Sequence, residues 1–116
     1  MSRTSAAARA KSVADRRKEL AALLEDADRQ LAELRHLRES LHDDDEHDPD
    51  GVSLSSEWSR LEGLRQSRLE ALAEIDDAAA RLERGEYGIC SVCGKPIAAA
   101  RLDARPGATE CIDHAR

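Results

Sequence analysis

Phenylalanine is absent from this chain, and its aromatic side chains are reduced to one tryptophan, Trp58, and one tyrosine, Tyr87. Aromatic side chains supply much of the buried area of an ordinary core. Without them, a chain of 116 residues has little with which to fill a large globule. No apolar run approaches the ~18 residues that a membrane span needs. A continuous apolar stretch is also missing from the start, MSRTSAAARAKSVADRRK, so a secretory signal is not expected there. That opening superficially resembles a transit peptide, but it reads as a solvated tail leading into a helix. Cysteine occurs three times, an odd number that argues against a closed disulfide framework. Positive charge is outweighed, and the net charge of −6 opposes a protein whose main partner is the nucleic-acid backbone.

Charge itself is abundant, at 36% of residues, and the apolar set is mostly Ala and Leu. Ala, Leu, Glu, Arg and Asp at this density read as long helix or coiled coil. The apolar surface is then a stripe along helices rather than a ball.

Residues 1–11 read as a flexible basic arm carrying Arg3, Arg9 and Lys11. A helix start is expected at Ser12, whose hydroxyl can accept from the first-turn amides. From Val13 the apolar residues recur at heptad spacing, with Val13, Leu20, Ala27, Leu34 and Leu41 in one position and Leu24 and Leu31 in the other. This alternation of threes and fours is a coiled-coil seam. Arg17 and Arg38 interrupt it, while Leu23 and Leu37 are expected to widen it. The pattern stops in an acidic loop over 42–52, which contains Asp43, Asp44, Asp45, Glu46, Asp48 and Asp50 with Pro49 and Gly51. Asp-Pro and Asp-Gly are turn dipeptides. A second helix, capped near Ser53 or Ser55, carries the seam Leu54, Trp58, Leu61, Arg65, Arg68, Leu72, Ile75, Ala79 and Leu82. It ends near Arg84-Gly85, where glycine suits a left-handed terminal position.

Each helix is expected to be about 45 Å long at 1.5 Å per residue. A short connection between two seamed helices predicts an antiparallel two-helix coiled-coil hairpin over residues 12–84, with the acidic loop at its tip. A monomer is expected, the alternative being assembly of the helices between chains.

The character changes over 85–116. Cys90-Ser91-Val92-Cys93 is followed by Gly94, and Cys111-Ile112-Asp113-His114 comes later. Cys-x-x-Cys-Gly is a tight turn that aims two sulfurs at one point, with Gly94 relieving the turn. Two such pairs offer four soft or borderline donors, which fits one structural zinc ion in a closed tetrahedral site and a reducing, cytoplasmic setting. Calcium and magnesium need oxygen ligands instead. A redox Cys-x-x-Cys lacks the surrounding βαβ pattern, and a metal-free knob is the other alternative. A catalytic zinc is disfavoured because four protein ligands leave no position for water. His36 is expected to be exposed, and His42 and His47 to flank a solvated acid cluster.

The layout of helical hairpin, acidic tip and zinc pairs resembles the DksA/TraR family of bacterial regulators. The likeness is tightest over 82–114, especially Gly88-Ile89-Cys90-Ser91-Val92-Cys93-Gly94 and Arg101-Leu102-Asp103-Ala104-Arg105-Pro106 through Cys111-Ile112-Asp113. Residues 12–84 match in layout. The resemblance implies a transcription regulator that docks at the secondary channel of RNA polymerase and sends its coiled-coil tip toward the active centre. It would modulate initiation without sequence-specific DNA binding. Some members act with the nucleotide ppGpp, the signal of the stringent response. The sequence departs from the family at His114, where the family usually has Cys. It also departs at Asp45-Glu46-His47-Asp48-Pro49-Asp50, which keeps two acids of the family tip motif but not its Ala. Arg101 and Arg105 are candidates either for a partner-facing basic edge or for capping helix carbonyls.

Three other readings compete. A structural or adaptor coiled coil for another protein partner shares every residue-level feature. A nucleic-acid-binding finger is opposed by the acidic charge and the lack of an aromatic platform. An enzyme is not expected, since no nucleophile–base pair, phosphate loop or open metal site is visible.

Overall fold

The computed structural model describes the backbone of residues 6–44 and 51–115, and the side chains of all of these except 42–44, 51 and 52. Its helices are α1 (Ala6–Asp44), α2 (Gly51–Glu83) and the short α3 (Ala99–Ala104). Among the described residues no strand forms, and one antiparallel bridge pairs Ile89 with Pro96. The fold is mainly helical, an antiparallel pairing of two long helices with a small cysteine-bearing region near the C-terminus. The chain divides into two compact units, one joining Met1–Leu20 to Ala71–Arg116 and the other spanning Ala21–Glu70.

In the unit Ala21–Glu70 the seam behaves as its spacing predicts. Leu31, Leu34 and Leu61 are buried together, with Leu54, Trp58 and Leu64 packed against them. Burying a leucine in this way contributes roughly 1.5–3 kcal/mol. The arginines that interrupt the seam are not wasted. Arg65 Nε donates to Asp28 Oδ1 across the helix pair at 2.7 Å. The Arg35 and Arg38 guanidinium groups stand 5.7 and 5.6 Å from the Trp58 ring centroid, within cation–π range. A long arginine stem can cover apolar surface while its head stays in water, which is how a charged residue fits beside a seam.

In the other unit, Val13, Leu20, Ile75 and Ala78 form a buried cluster, flanked by Ala71, Leu72, Ala79, Leu82 and Tyr87. Arg17 Nε donates to Asp76 Oδ1 at 2.6 Å, so this interrupting arginine also finds an acid on the facing helix. The α2 terminus closes as its sequence predicts. Gly85 has φ +73°, the Glu86 amide donates to the Arg81 carbonyl at 2.8 Å, and the Gly85 amide donates to that of Leu82 at 3.2 Å. This reciprocal pair satisfies carbonyls that the helix end would otherwise leave open.

Three expectations are corrected. The arm expected over 1–11 is already helix from Ala6. Arg9 lies four residues before Val13 on the same face, is only 8% exposed, and donates to Asp103 Oδ1 of α3 at 2.7 Å. Of the loop expected over 42–52, residues 42–44 belong to α1 and residues 51 and 52 to α2, while 45–50 lie outside the described residues. Extending a formed helix by one residue costs far less than nucleating one, so charge alone does not stop it. Leu23 and Leu37 do not widen the seam; they are 40% and 46% exposed.

Candidate metal centre

Cys90 lies in a tight turn built almost entirely by the backbone. Its amide donates to the Lys95 carbonyl at 2.8 Å, the Gly94 amide returns to the Cys90 carbonyl at 2.9 Å, and the Ile97 amide reaches Gly88 at 2.7 Å. Gly94 has φ +74°, a conformation that a side chain resists. The Val92 amide points at Cys90 Sγ, 3.4 Å away. Residues 111–114 make a second, shorter turn in which the His114 amide donates to the Cys111 carbonyl at 3.0 Å. The Ser91 amide ties the two turns together through the Thr109 carbonyl at 2.8 Å. Beneath them Cys90, Ile97, Leu102 and Ala108 form a small buried cluster, against which Tyr87 and Cys111 pack. Tyr87 therefore touches both apolar clusters of its unit, and its hydroxyl donates to the Pro106 carbonyl at 2.7 Å.

The turns bring the four sequence-predicted donors together. The ligand atoms of Cys90, Cys93, Cys111 and His114 all lie within 4.8 Å of one another. Cys93 Sγ and Cys111 Sγ are 3.8 Å apart. His114 Nδ1 is 3.9 Å from Cys90 Sγ and 3.1 Å from Cys111 Sγ. Zinc–sulfur bonds of about 2.3 Å and zinc–nitrogen bonds of about 2.0–2.1 Å put the corners of a tetrahedron about 3.5–3.8 Å apart. The donor set suits that ion and the four donors converge to about its dimensions, the 3.8 and 3.9 Å separations being near a tetrahedral edge and the 3.1 Å one shorter, with Nδ1 as the imidazole atom facing the sulfurs. Four protein donors could complete a tetrahedron and would leave no position for water, which is the arrangement of a structural site.

The turns also prepare the sulfurs unequally. Burial works against the Cys90 thiolate, but the amides of Cys111, Cys93 and Val92 outweigh it and draw the thiol down to about 6. Burial pushes the Cys111 thiol up, and the neighbouring Cys90 and Cys93 sulfurs add to the rise against amides of Asp113 and His114. A thiolate stabilised by amide donors is the form that binds a metal.

The remaining candidates fall elsewhere. Asp43 and Asp44 occupy the end of α1, while Asp45, Glu46, Asp48 and Asp50 lie outside the described residues. Arg105 is exposed and Nη2 donates to Glu74 Oε1 of α2 at 2.7 Å. Arg101, expected either at a partner-facing edge or on helix carbonyls, is half-buried and Nε donates to the Glu110 carbonyl at 2.9 Å. That carbonyl belongs to the approach to Cys111 rather than to a helix end. Sequence reasoning missed Arg81, whose Nη2 donates to the Ile89 carbonyl at 2.6 Å. No periodic signal marks it, because its acceptor lies in an irregular turn.

Comparison with known proteins supplies the context. Residues 85–113 match the model of the prokaryotic dksA/traR C4-type zinc finger. Together with the clustered donors, this makes the region a zinc finger with one structural zinc. The matched segment stops one residue before His114. The RNA polymerase-binding transcription factor DksA of Caulobacter vibrioides is 43% identical over 61 residues, which is 51% of this chain and 43% of that protein. The match therefore spans less than half the length of that relative. An uncharacterized protein of Aquifex aeolicus is 41% identical over 51 residues, 44% of this chain and 35% of its own. The structure of transcription factor DksA2 from Pseudomonas aeruginosa superposes with a TM-score of 0.75 at 30% identity, covering 90% of this chain and 75% of that one.

Proposed function

The chain belongs to the DksA/TraR family, and on that premise we propose that it is a cytoplasmic transcription regulator that binds RNA polymerase directly. It docks at the secondary channel as a monomer and modulates initiation through the acidic stretch between α1 and α2, without reading promoter sequence. Asp43, Asp44, Asp45, Glu46, Asp48 and Asp50 are its working acids. Cys90, Cys93, Cys111 and His114 are the zinc ligands, with His114 in the place of the fourth cysteine.

One observation carries this reading. The likeness to Pseudomonas aeruginosa DksA2 extends over 90% of the chain, so the helices and the finger are shared together rather than the finger alone. Physical chemistry supports it. An acidic segment suits a basic channel and a catalytic centre that holds Mg²⁺. A chain with net charge −6 has little attraction for the DNA backbone itself. Each unit also buries its own seam within one chain, which suits a monomer.

Initiation assays with bacterial polymerase, run with and without ppGpp, test the regulatory role. The double variant Asp45→Ala, Asp48→Ala is expected to keep polymerase binding while losing the effect on initiation. Retention of the full effect would transfer the activity from these acids to the finger.

A further inference from the structure

Both turns of the zinc finger are approached by an arginine in the same way. Arg81, in the last turn of α2, donates to the Ile89 carbonyl at 2.6 Å. Arg101, in α3, donates to the Glu110 carbonyl at 2.9 Å. Ile89 directly precedes Cys90, and Glu110 directly precedes Cys111. Each guanidinium thus holds the peptide that leads into the first cysteine of a pair.

We propose that Arg81 and Arg101 are positioning residues for zinc, each fixing the orientation of one ligand pair, Cys90 with Cys93 or Cys111 with His114, without touching the ion. The inference rests on the ligand set proposed above. Rotation of the peptide before Cys90 or Cys111 changes the direction in which that residue's Sγ points. A charged donor makes a stronger bond to a carbonyl than a neutral one. The planar guanidinium also loses little freedom in making it. Neither arginine is among the residues in the salt bridges of Arg9, Arg17, Arg65, Arg84 or Arg105, where the partners are carboxylates. Of the two elements that carry them, α2 precedes the finger and α3 lies between its two turns. The arginines therefore anchor each turn to a helix.

The test is zinc release from the full-length, zinc-loaded protein into a chromogenic chelator, with helix content followed by circular dichroism. Arg81→Gln and Arg101→Gln are each expected to weaken zinc binding about ten- to hundredfold, the range seen when groups that orient metal ligands are removed. Helix content of the loaded protein should stay unchanged. Arg84→Gln, one residue beyond the end of α2 and paired with Glu86, should release zinc as the parent does. Zinc retention by Arg81→Gln and Arg101→Gln indistinguishable from the parent would overturn the inference. So would lost helix content with an unaltered zinc affinity, the mark of a purely structural role. Cys111→Ser separates the two levels: loss of zinc there with no effect of the arginines removes only the positioning role. Full zinc retention by Cys111→Ser removes the ligand set and the inference with it.

Discussion

The two units of this chain are held together by different means. In Ala21–Glu70 almost everything follows from repetition: leucines at seam spacing, short ion pairs within one helix such as Arg29 with Asp26 and Arg60 with Glu57, and Arg65 reaching Asp28 across the pair. In the unit that carries the finger, the decisive contacts join residues far apart in sequence. Arg9 reaches Asp103, Tyr87 reaches Pro106 and Arg105 reaches Glu74, and four donors from two turns converge on one point. A periodic unit tolerates the loss of one polar contact because its neighbours repeat it. A unit built on single long-range contacts and a metal does not.

Removal of zinc gives the largest expected contrast. Structural zinc supplies on the order of 10–16 kcal/mol to isolated finger peptides, so a strong chelator or Cys111→Ser should abolish ordered packing of the finger. Hydrogen exchange should show protection lost over 88–114 and retained around Leu31, Leu34 and Leu61. Equal loss in both regions would erase the distinction drawn between the units.

Core truncation in the periodic unit comes next. Leu61 is 2% exposed, and Leu61→Ala is expected to cost about 2–5 kcal/mol in denaturant unfolding. Zinc binding should be unaffected. A weaker response than that of the half-buried Leu64→Ala would contradict the packing described here.

Tyr87→Phe is expected to cost about 1 kcal/mol by leaving the Pro106 carbonyl without its donor. The same residue gives a pH signature. Burial raises the Tyr87 phenol above its ordinary value of 10.0, with the nearby Arg9 charge opposing and Asp103 assisting. Its contribution is present in full below pH 10.0 and is lost as pH rises from there through the raised value. Stability curves of the parent and Tyr87→Phe should therefore converge on the alkaline side. Parallel curves would show that the phenol is not constrained as described.

The smallest effects belong to the exposed cross-helix pairs. Arg17→Gln and Arg65→Gln should each cost less than about 1 kcal/mol, and the difference should shrink as salt is added. A large, salt-independent cost would mean that these pairs do more than decorate the seam.

These differences also explain what could be read from the amino-acid order. Val13, Leu20, Leu31, Leu34, Leu61 and Ile75 announce the helices because burial and spacing share one period. Gly85 marks the end of α2 because only one conformation closes a helix that way. The two spaced pairs ending at Cys93 and His114 announce a metal because zinc fixes both donor type and separation. Arg9 could not be read in the same way. It stands at seam spacing before Val13, but a buried charge makes sense only with Asp103, 94 residues away. For Arg101 the amino-acid order leaves both a partner-facing edge and helix carbonyls open, because its acceptor, the Glu110 carbonyl, sits in irregular backbone that no periodic pattern marks. Arg81 carried no signal for the same reason. The exposure of Leu23 and Leu37 reflects a seam narrower than their hydrophobicity suggests.

The central claim is direct recognition of RNA polymerase by a DksA/TraR family protein. Its most direct test is binding of the full-length, zinc-loaded chain to purified bacterial core polymerase, measured at micromolar protein. Saturable binding, unaffected by Asp45→Ala with Asp48→Ala, is the result predicted. No detectable binding at that concentration would contradict the account.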